Sequence, residues 1–264
     1  MKKINLAFIG CGAMCKQIIS SIIKDMNNKF NIEFILDNHL DEAKTFCDDL
    51  NISPHISNDF NNLIKSEHID LVIETASVQS VKDYSLKIVE KFDLMIASVG
   101  ALSDDNLYNK LLEKSSFHGS KLLIPHGAIG GLDAISAVKE MINNISITTT
   151  KSPQSLKGSK GFEKYEKYKF IKSKTIFDGT AKKAIELFPK NLNVAVTLSL
   201  YGIGTEKTNV VLIVDPKLET NNHSIFVEGD FGQMKFDFSL NQSPTNPKTS
   251  ALAALSLIKG LKDY

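Results

Sequence analysis

In the first half of the chain the spacing of apolar positions switches repeatedly between two periods. Residues 3–9 (KINLAFI) form a short apolar run, and Met14, Ile18, Ile19, Ile22 and Ile23 then fall on one face at helical spacing. The alternation continues with predicted strands at 32–36, 70–74, 93–98 and 122–124 and predicted helices at 41–50, 59–65, 78–91 and 104–115. A further helical pattern opens at Asp133, with Leu132, Ile135, Val138 and Ile142 as its apolar positions. Regular strand–helix alternation implies a parallel sheet with right-handed crossovers.

Beyond residue 144 the texture changes. Residues 145–151 (ISITTTK) are rich in β-branched side chains, a strand signal. The segment 152–172 is polar, lysine-rich and broken by glycines, which reads as a solvated surface loop or a lid. Helices are expected at 180–188 and 192–200, separated by Pro189, and strands at 209–215, 224–228 and 233–240. Such consecutive strands suit a mostly antiparallel sheet with one face on helices and the other open to a second subunit. An Ala/Leu-rich helix is expected over 246–261, capped by Asn246 with Pro247 at its first position. The expected architecture is therefore α/β. A doubly wound parallel sheet of the Rossmann type spans 1–126, and a smaller α/β domain with a mostly antiparallel sheet spans 127–245. The final helix, 246–264, returns to the first domain.

Two glycine turns interrupt this pattern. In the first, Gly10, Cys11, Gly12, Ala13 and Met14 link the opening strand to its helix, a G-x-G-x-x arrangement with Cys15 where a third glycine is usual. Gly10 serves a tight turn, and Gly12 lets the backbone approach a pyrophosphate lying on the helix N-terminus. Asp37 ends the next strand, 25 residues past Gly12, where its carboxylate can accept from both ribose hydroxyls. It would repel a 2′-phosphate, and no Arg or Lys immediately follows, so NAD is favoured with NADP possible. Other cofactor-facing positions are expected in the small-residue loops at strand ends, at Ala76, Ser77, Gly100 and Ala128. A flavodoxin-like sheet whose glycines merely turn the chain is the structural alternative. The second turn holds Gly127, Gly130 and Gly131. It reads as the passage from the nucleotide domain into a catalytic domain.

Composition narrows the functional classes. A net charge of +1 gives no electrostatic case for nucleic acid, and no apolar run approaches the ~20 residues that span a bilayer. The N-terminus lacks the pattern of a signal peptide, and three cysteines, Cys11, Cys15 and Cys47, suggest reduced thiols in a cytoplasm. No histidine or cysteine cluster accompanies the C-x3-C spacing, so no metal site is expected.

Four segments carry a resemblance. Residues 124–134 (IPHGAIGGLDA), 188–195 (FPKNLNVA), the stretch from Asp215-Pro216 to Asn221-Asn222-His223, and 246–250 (NPKTS) resemble, in order, segments of the L-aspartate dehydrogenases. The resemblance covers nearly the whole chain. It implies a homodimer that converts an amino dicarboxylic acid to its keto acid with NAD(P), by way of iminoaspartate, a precursor for NAD synthesis. It also implies that His223 is catalytic and that Ala128 and Asn193 contact cofactor. This chain departs from the pattern at Cys15, at His126 (usually serine) and at Thr150 (usually arginine, where a second substrate carboxylate could be held).

An imidazole suits proton transfer at neutral pH. Lys151 reads either as a partner for a substrate carboxylate or as a solvated strand end. His126 reads either as a substrate hydrogen-bond partner or as a space-filling residue. Two rival functions remain at this point: a related two-domain reductase acting on another imine or amino acid, and a non-catalytic dinucleotide-binding protein.

Overall fold

A computed structural model describes residues 2–189, 191–243 and 246–264. The chain forms two compact units, Met1–Pro125 with Leu257–Tyr264, and His126–Ser256. In the first unit β1 (Ile4–Ile9), β2 (Phe30–Leu36), β3 (His55–Ser57), β4 (Leu71–Glu74), β5 (Asp93–Ile96) and β6 (Leu122–Leu123) form one sheet. The order is β3-β2-β1-β4-β5-β6 and every pairing is parallel. The order reverses between β1 and β4, which opens a crevice at the carboxyl ends of these strands. Central β1 and β4 are almost entirely apolar because helices cover both of their faces.

Those helices are α1 (Ala13–Asp25), α2 (Leu40–Asp49), α3 (Phe60–Lys65), α4 (Val78–Ile88) and α5 (Asp105–His118). The apolar stripe of α1 buries Cys15, Ile18, Ile19 and Ile22 against Leu6, Phe8, Leu71 and Ile73 of the strands. Their N-termini follow the capping chemistry of the sequence. Asp59, Ser77 and Asp104 each accept a backbone N–H from the first turn of α3, α4 and α5. Gly119, at φ 74°, ends α5 in the left-handed conformation.

The second unit holds β7 (Ile142–Lys151), β8 (Lys174–Thr180), β9 (Asn209–Val214), β10 (Thr220–Gly229), β11 (Gly232–Ser243) and β12 (Asn246–Ser250). Their order is β12-β11-β10-β7-β9-β8, antiparallel except for β7 on β9. Alternate residues of β7, β9 and β10 are buried, so one face of the sheet is covered. The helices of this unit are α6 (Leu132–Ala137), α7 (Pro153–Leu156), α8 (Ala181–Leu187) and α9 (Asn193–Tyr201).

Three local expectations give way to tertiary pairing. The helix expected from Asn246 starts at Ala251 as α10 (Ala251–Asp263), because residues 246–250 pair with β11 instead. The helix opening near Asp133 stops at Ala137, since Ile142 pairs with Gly229 at the start of β7. Part of the supposed loop at 152–172 is anchored, with Leu156 and Phe162 fully buried and Phe162, Tyr165, Tyr168 and Phe170 in mutual ring contact.

The end of α10 belongs to the first unit, where Leu257, Ile258 and Leu261 join the core around α1 and β1. Lys29 Nζ donates to the Leu261 and Lys262 carbonyls at 3.3 and 3.0 Å, and the Tyr264 hydroxyl donates to Asp93 at 2.8 Å. Leu261 is fully buried, so Leu261→Ala is expected to destabilise the fold by ~2–5 kcal/mol. Thermal unfolding of the variant checks this. A melting temperature equal to the parent's would show that the terminal helix adds nothing to the core.

Candidate active site

The first unit supplies a glycine loop with a specific division of labour. Gly10 sits at φ 88°, and a Cβ there would lie 2.7 Å from the Ala76 Cβ, so both conformation and packing demand glycine. Gly12 differs. Its φ of −76° suits any residue, and a Cβ there would meet no protein atom within 4 Å. Glycine at 12 is thus required by neither backbone nor packing, which leaves close approach of a ligand as the physical reason. Gly12 also caps α1 without a side-chain hydrogen bond, so the first N–H groups of this 13-residue helix face outward with its positive dipole end. These features fit a dinucleotide pyrophosphate, with Cys11, Ala13 and Met14 lining the same loop.

Asp37 follows β2, as a ribose-binding acid should. Its carboxylate accepts Cys11 N–H at 2.5 Å and His39 N–H at 2.7 Å, which fixes it beside the glycine loop with acceptor capacity to spare. Cys15, in the place of the third glycine, is fully buried in the core, where desolvation pushes its thiol well above the usual range. All three cysteines are free and buried.

The main residue that sequence reasoning missed in this unit is Glu74. It ends β4 only 1% exposed and accepts Ala76 N–H, Ser77 N–H, Ser98 N–H and the Ser98 hydroxyl at 2.8–3.0 Å. Burial raises its pKa against the pull of those bonds. One carboxylate thereby ties two loops that the sequence had marked as cofactor-facing: Ala76-Ser77, and the one leading to buried Gly100. An acid closing an otherwise apolar strand (LVIE) was the available signal.

In the second unit, the buried sheet face is apolar along one end and polar at the other. Ile145, Ile147, Ile225 and Val227 are fully buried, and along the same strand faces come Thr149, Lys151, Asn221 and His223. These four are only 0, 3, 1 and 4% exposed. Thr149 Oγ1 and His223 Nδ1 are 3.0 Å apart, and Lys151 Nζ donates to Asn221 Oδ1 at 3.1 Å. Burial lowers the Lys151 pKa to about 8. Burial, and then the Lys151 charge, hold His223 down to about 3, so its ring is neutral at physiological pH. Lys151 is thus no solvated strand end, and His223 lies inside β10.

The other expected positions are distributed differently. His126 is exposed, and its ring meets Tyr201 edge-on at 5.4 Å. Thr150 alternates to the sheet face opposite His223, so the loss of the usual arginine leaves the buried polar group untouched. Ala128 is buried after Gly127, whose N–H donates to Ser256 Oγ at 3.0 Å, and Asn193 opens α9. Gly131 has its own reason: at φ 74° it begins α6, and a Cβ would strike the Phe236 ring at 2.5 Å.

Strand order and glycine loop define the first unit as a dinucleotide-binding α/β domain. Residues 10–125 match the family model described as homoserine dehydrogenase, NAD binding domain, and residues 133–264 match aspartate dehydrogenase, C-terminal. An L-aspartate dehydrogenase from Nitrosopumilus maritimus is 42% identical over 98% of this chain and 96% of its own. One from Methanocaldococcus jannaschii is 33% identical over the same shares. The crystal structure of aspartate dehydrogenase from Thermotoga maritima superposes with a TM-score of 0.75 at 24% identity, covering 99% of this chain and 97% of that one. The chain belongs to the aspartate dehydrogenase family.

Two outcomes follow from this geometry. Gly12→Ala should leave stability within ~1 kcal/mol of the parent while weakening NADH binding ~10-fold or more, as read by fluorescence titration. Unchanged affinity would remove the ligand-approach argument. The second concerns pH. Between the ordinary 6.5 and about 3, the unfolded chain binds a proton at residue 223 that the folded chain refuses. Stability therefore rises with pH across that window and falls on acidification, by up to ~1.4 kcal/mol per unit. Urea unfolding of the parent against His223→Gln should show that slope lost in the variant; parallel curves would contradict it.

Proposed function

We propose that the protein oxidatively deaminates L-aspartate, or runs the reverse amination, with His223 as the acid/base and NAD as the preferred nicotinamide cofactor. The observation that carries this reading is the buried Thr149–His223 and Lys151–Asn221 group, in a chain of the aspartate dehydrogenase family. Gly10, Cys11, Gly12, Ala13 and Met14 would hold the pyrophosphate, Asp37 the ribose, and Ala76, Ser77, Gly100, Ala128 and Asn193 the remainder. The Asp37 carboxylate, with Asn38 and His39 after it, supports NAD over NADP.

A bound nicotinamide ring would accept the hydride from the substrate Cα. The imine so formed takes up water, and a neutral His223 can remove the proton that this water must lose. The proton returns to the departing nitrogen, and ammonia leaves with the keto acid. Overall, aspartate, NAD and water give oxaloacetate, ammonium, NADH and a proton. Thr149, bonded at Nδ1, leaves Nε2 as the ring nitrogen for this transfer. Lys151 would offset substrate carboxylate charge, and the bound anion would in turn raise the basicity of His223.

A homodimer formed across the open face of the second sheet, a cytoplasmic setting and a role in supplying iminoaspartate for NAD synthesis complete the reading. The three free thiols support the reducing compartment. The rival reductase acting on another imine or amino acid loses one of its two motives, because Thr150 lies on the sheet face opposite His223.

The test is NADH formation from L-aspartate and NAD at alkaline pH, read at 340 nm. No turnover in either direction, with dinucleotide demonstrably bound, would sink the reading. His223→Ala should cut turnover by ~10²–10⁴ and leave NAD affinity nearly intact. Equal loss of both would make His223 a structural residue.

A further inference from the structure

The amide of Asn221 is oriented by a simple constraint. A lysine ammonium can only donate, so the Asn221 atom 3.1 Å from Lys151 Nζ must be the oxygen. The nitrogen then points the other way, and Asn221 Nδ2 is buried with no hydrogen-bond partner among the described residues. Such an orphan donor destabilises a fold, and proteins seldom keep one without a use. Its surroundings say what use. The four side chains Thr149, Lys151, Asn221 and His223 carry one positive charge and no negative one, on a face whose other end is packed with isoleucine and valine.

We propose that Asn221 Nδ2 and Lys151 Nζ form a two-point subsite for a carboxylate of the substrate, in which Asn221 is a specificity-determining residue. The proposal rests on reading the His223 group as the reaction site of an amino-dicarboxylate enzyme. A planar carboxylate has two oxygens and can accept from two separate donors, and the lysine–amide hydrogen bond holds both side chains in place before substrate arrives. The same donors would position the substrate relative to His223, one alternate residue along β10.

Asn221→Ala and Asn221→Asp test this in the full chain with NAD present. The aspartate variant keeps the shape and still accepts from Lys151, but it replaces a donor with an anion. Two readouts are used: the Kd of succinate, a dicarboxylate that cannot be deaminated, by calorimetry, and KM and kcat for L-aspartate. Asn221→Ala should weaken succinate and raise KM ~10- to 100-fold, with KM changing far more than kcat and NAD affinity unchanged. Asn221→Asp should lose more. If L-alanine binding falls in parallel, the α-carboxylate is the one held; if it is spared, the side-chain carboxylate is. Unchanged succinate binding and KM in two folded variants would overturn the proposal, and so would failure of the parent to bind succinate or aspartate at all. If the parent binds succinate but never turns over aspartate, the dehydrogenase reading fails while the subsite is still measured.

Discussion

The register between β7 and β10 fixes the chemistry of the second unit. Thr149 pairs with His223 and Thr150 with Asn222, so each strand sends its alternate residues to one covered face. On that face, three isoleucines and a valine hold the strands under their helices while two hydrogen-bonded pairs occupy the far end. A slip of one residue would expose the isoleucines and bring the Thr150 and Asn222 set inward. Hydrophobic burial therefore sets the register, and the register sets which polar groups meet. The histidine owes its neutrality to the same burial, since an imidazolium there would be both desolvated and next to a lysine.

The first unit solves a different problem with related means. Its loops must come close to a ligand yet keep their shape, and small residues alone give closeness without rigidity. Glu74 supplies the rigidity: its one buried carboxylate gathers four donors from the ends of β4 and β5. Removing the carboxylate would take away the one acceptor that those four donors share, so the acid is bound into the loops as firmly as a cap into a helix. Asp37 repeats the device on a smaller scale, joining the end of β2 to the glycine loop through Cys11 N–H. The crevice where the strand order reverses is thus edged by two carboxylates whose first task is holding backbone.

Much of this architecture could be read before any coordinates. The switch between apolar periods located nearly every helix and strand of the first unit, and the glycine spacing with Asp37 identified its ligand class. Errors fell where long-range pairing outvoted local signals. Asn246 and Pro247 look like a helix start, but hydrogen bonds to β11 take those residues into β12. The 152–172 stretch looks solvated by composition, although Leu156 and Phe162 are buried. The short β3 and the strand β8 went unseen because three residues, or a half-polar edge, carry too little periodicity.

For the site, motif and spacing nominate Asp37 and leave Lys151 open between two readings, while the resemblance to the aspartate dehydrogenases nominates His223. They could not say that Lys151 is buried, that Thr150 faces away, or that Asn221 has one bonded and one orphaned amide atom. Those facts depend on which strands are neighbours and in what register, and the segments involved lie about seventy residues apart in the chain. Local sequence determines period, turn and cap through short-range sterics and hydrogen bonding. The pairing of distant strands, and with it the dielectric surroundings and partners of each titratable group, is decided only when the whole core closes.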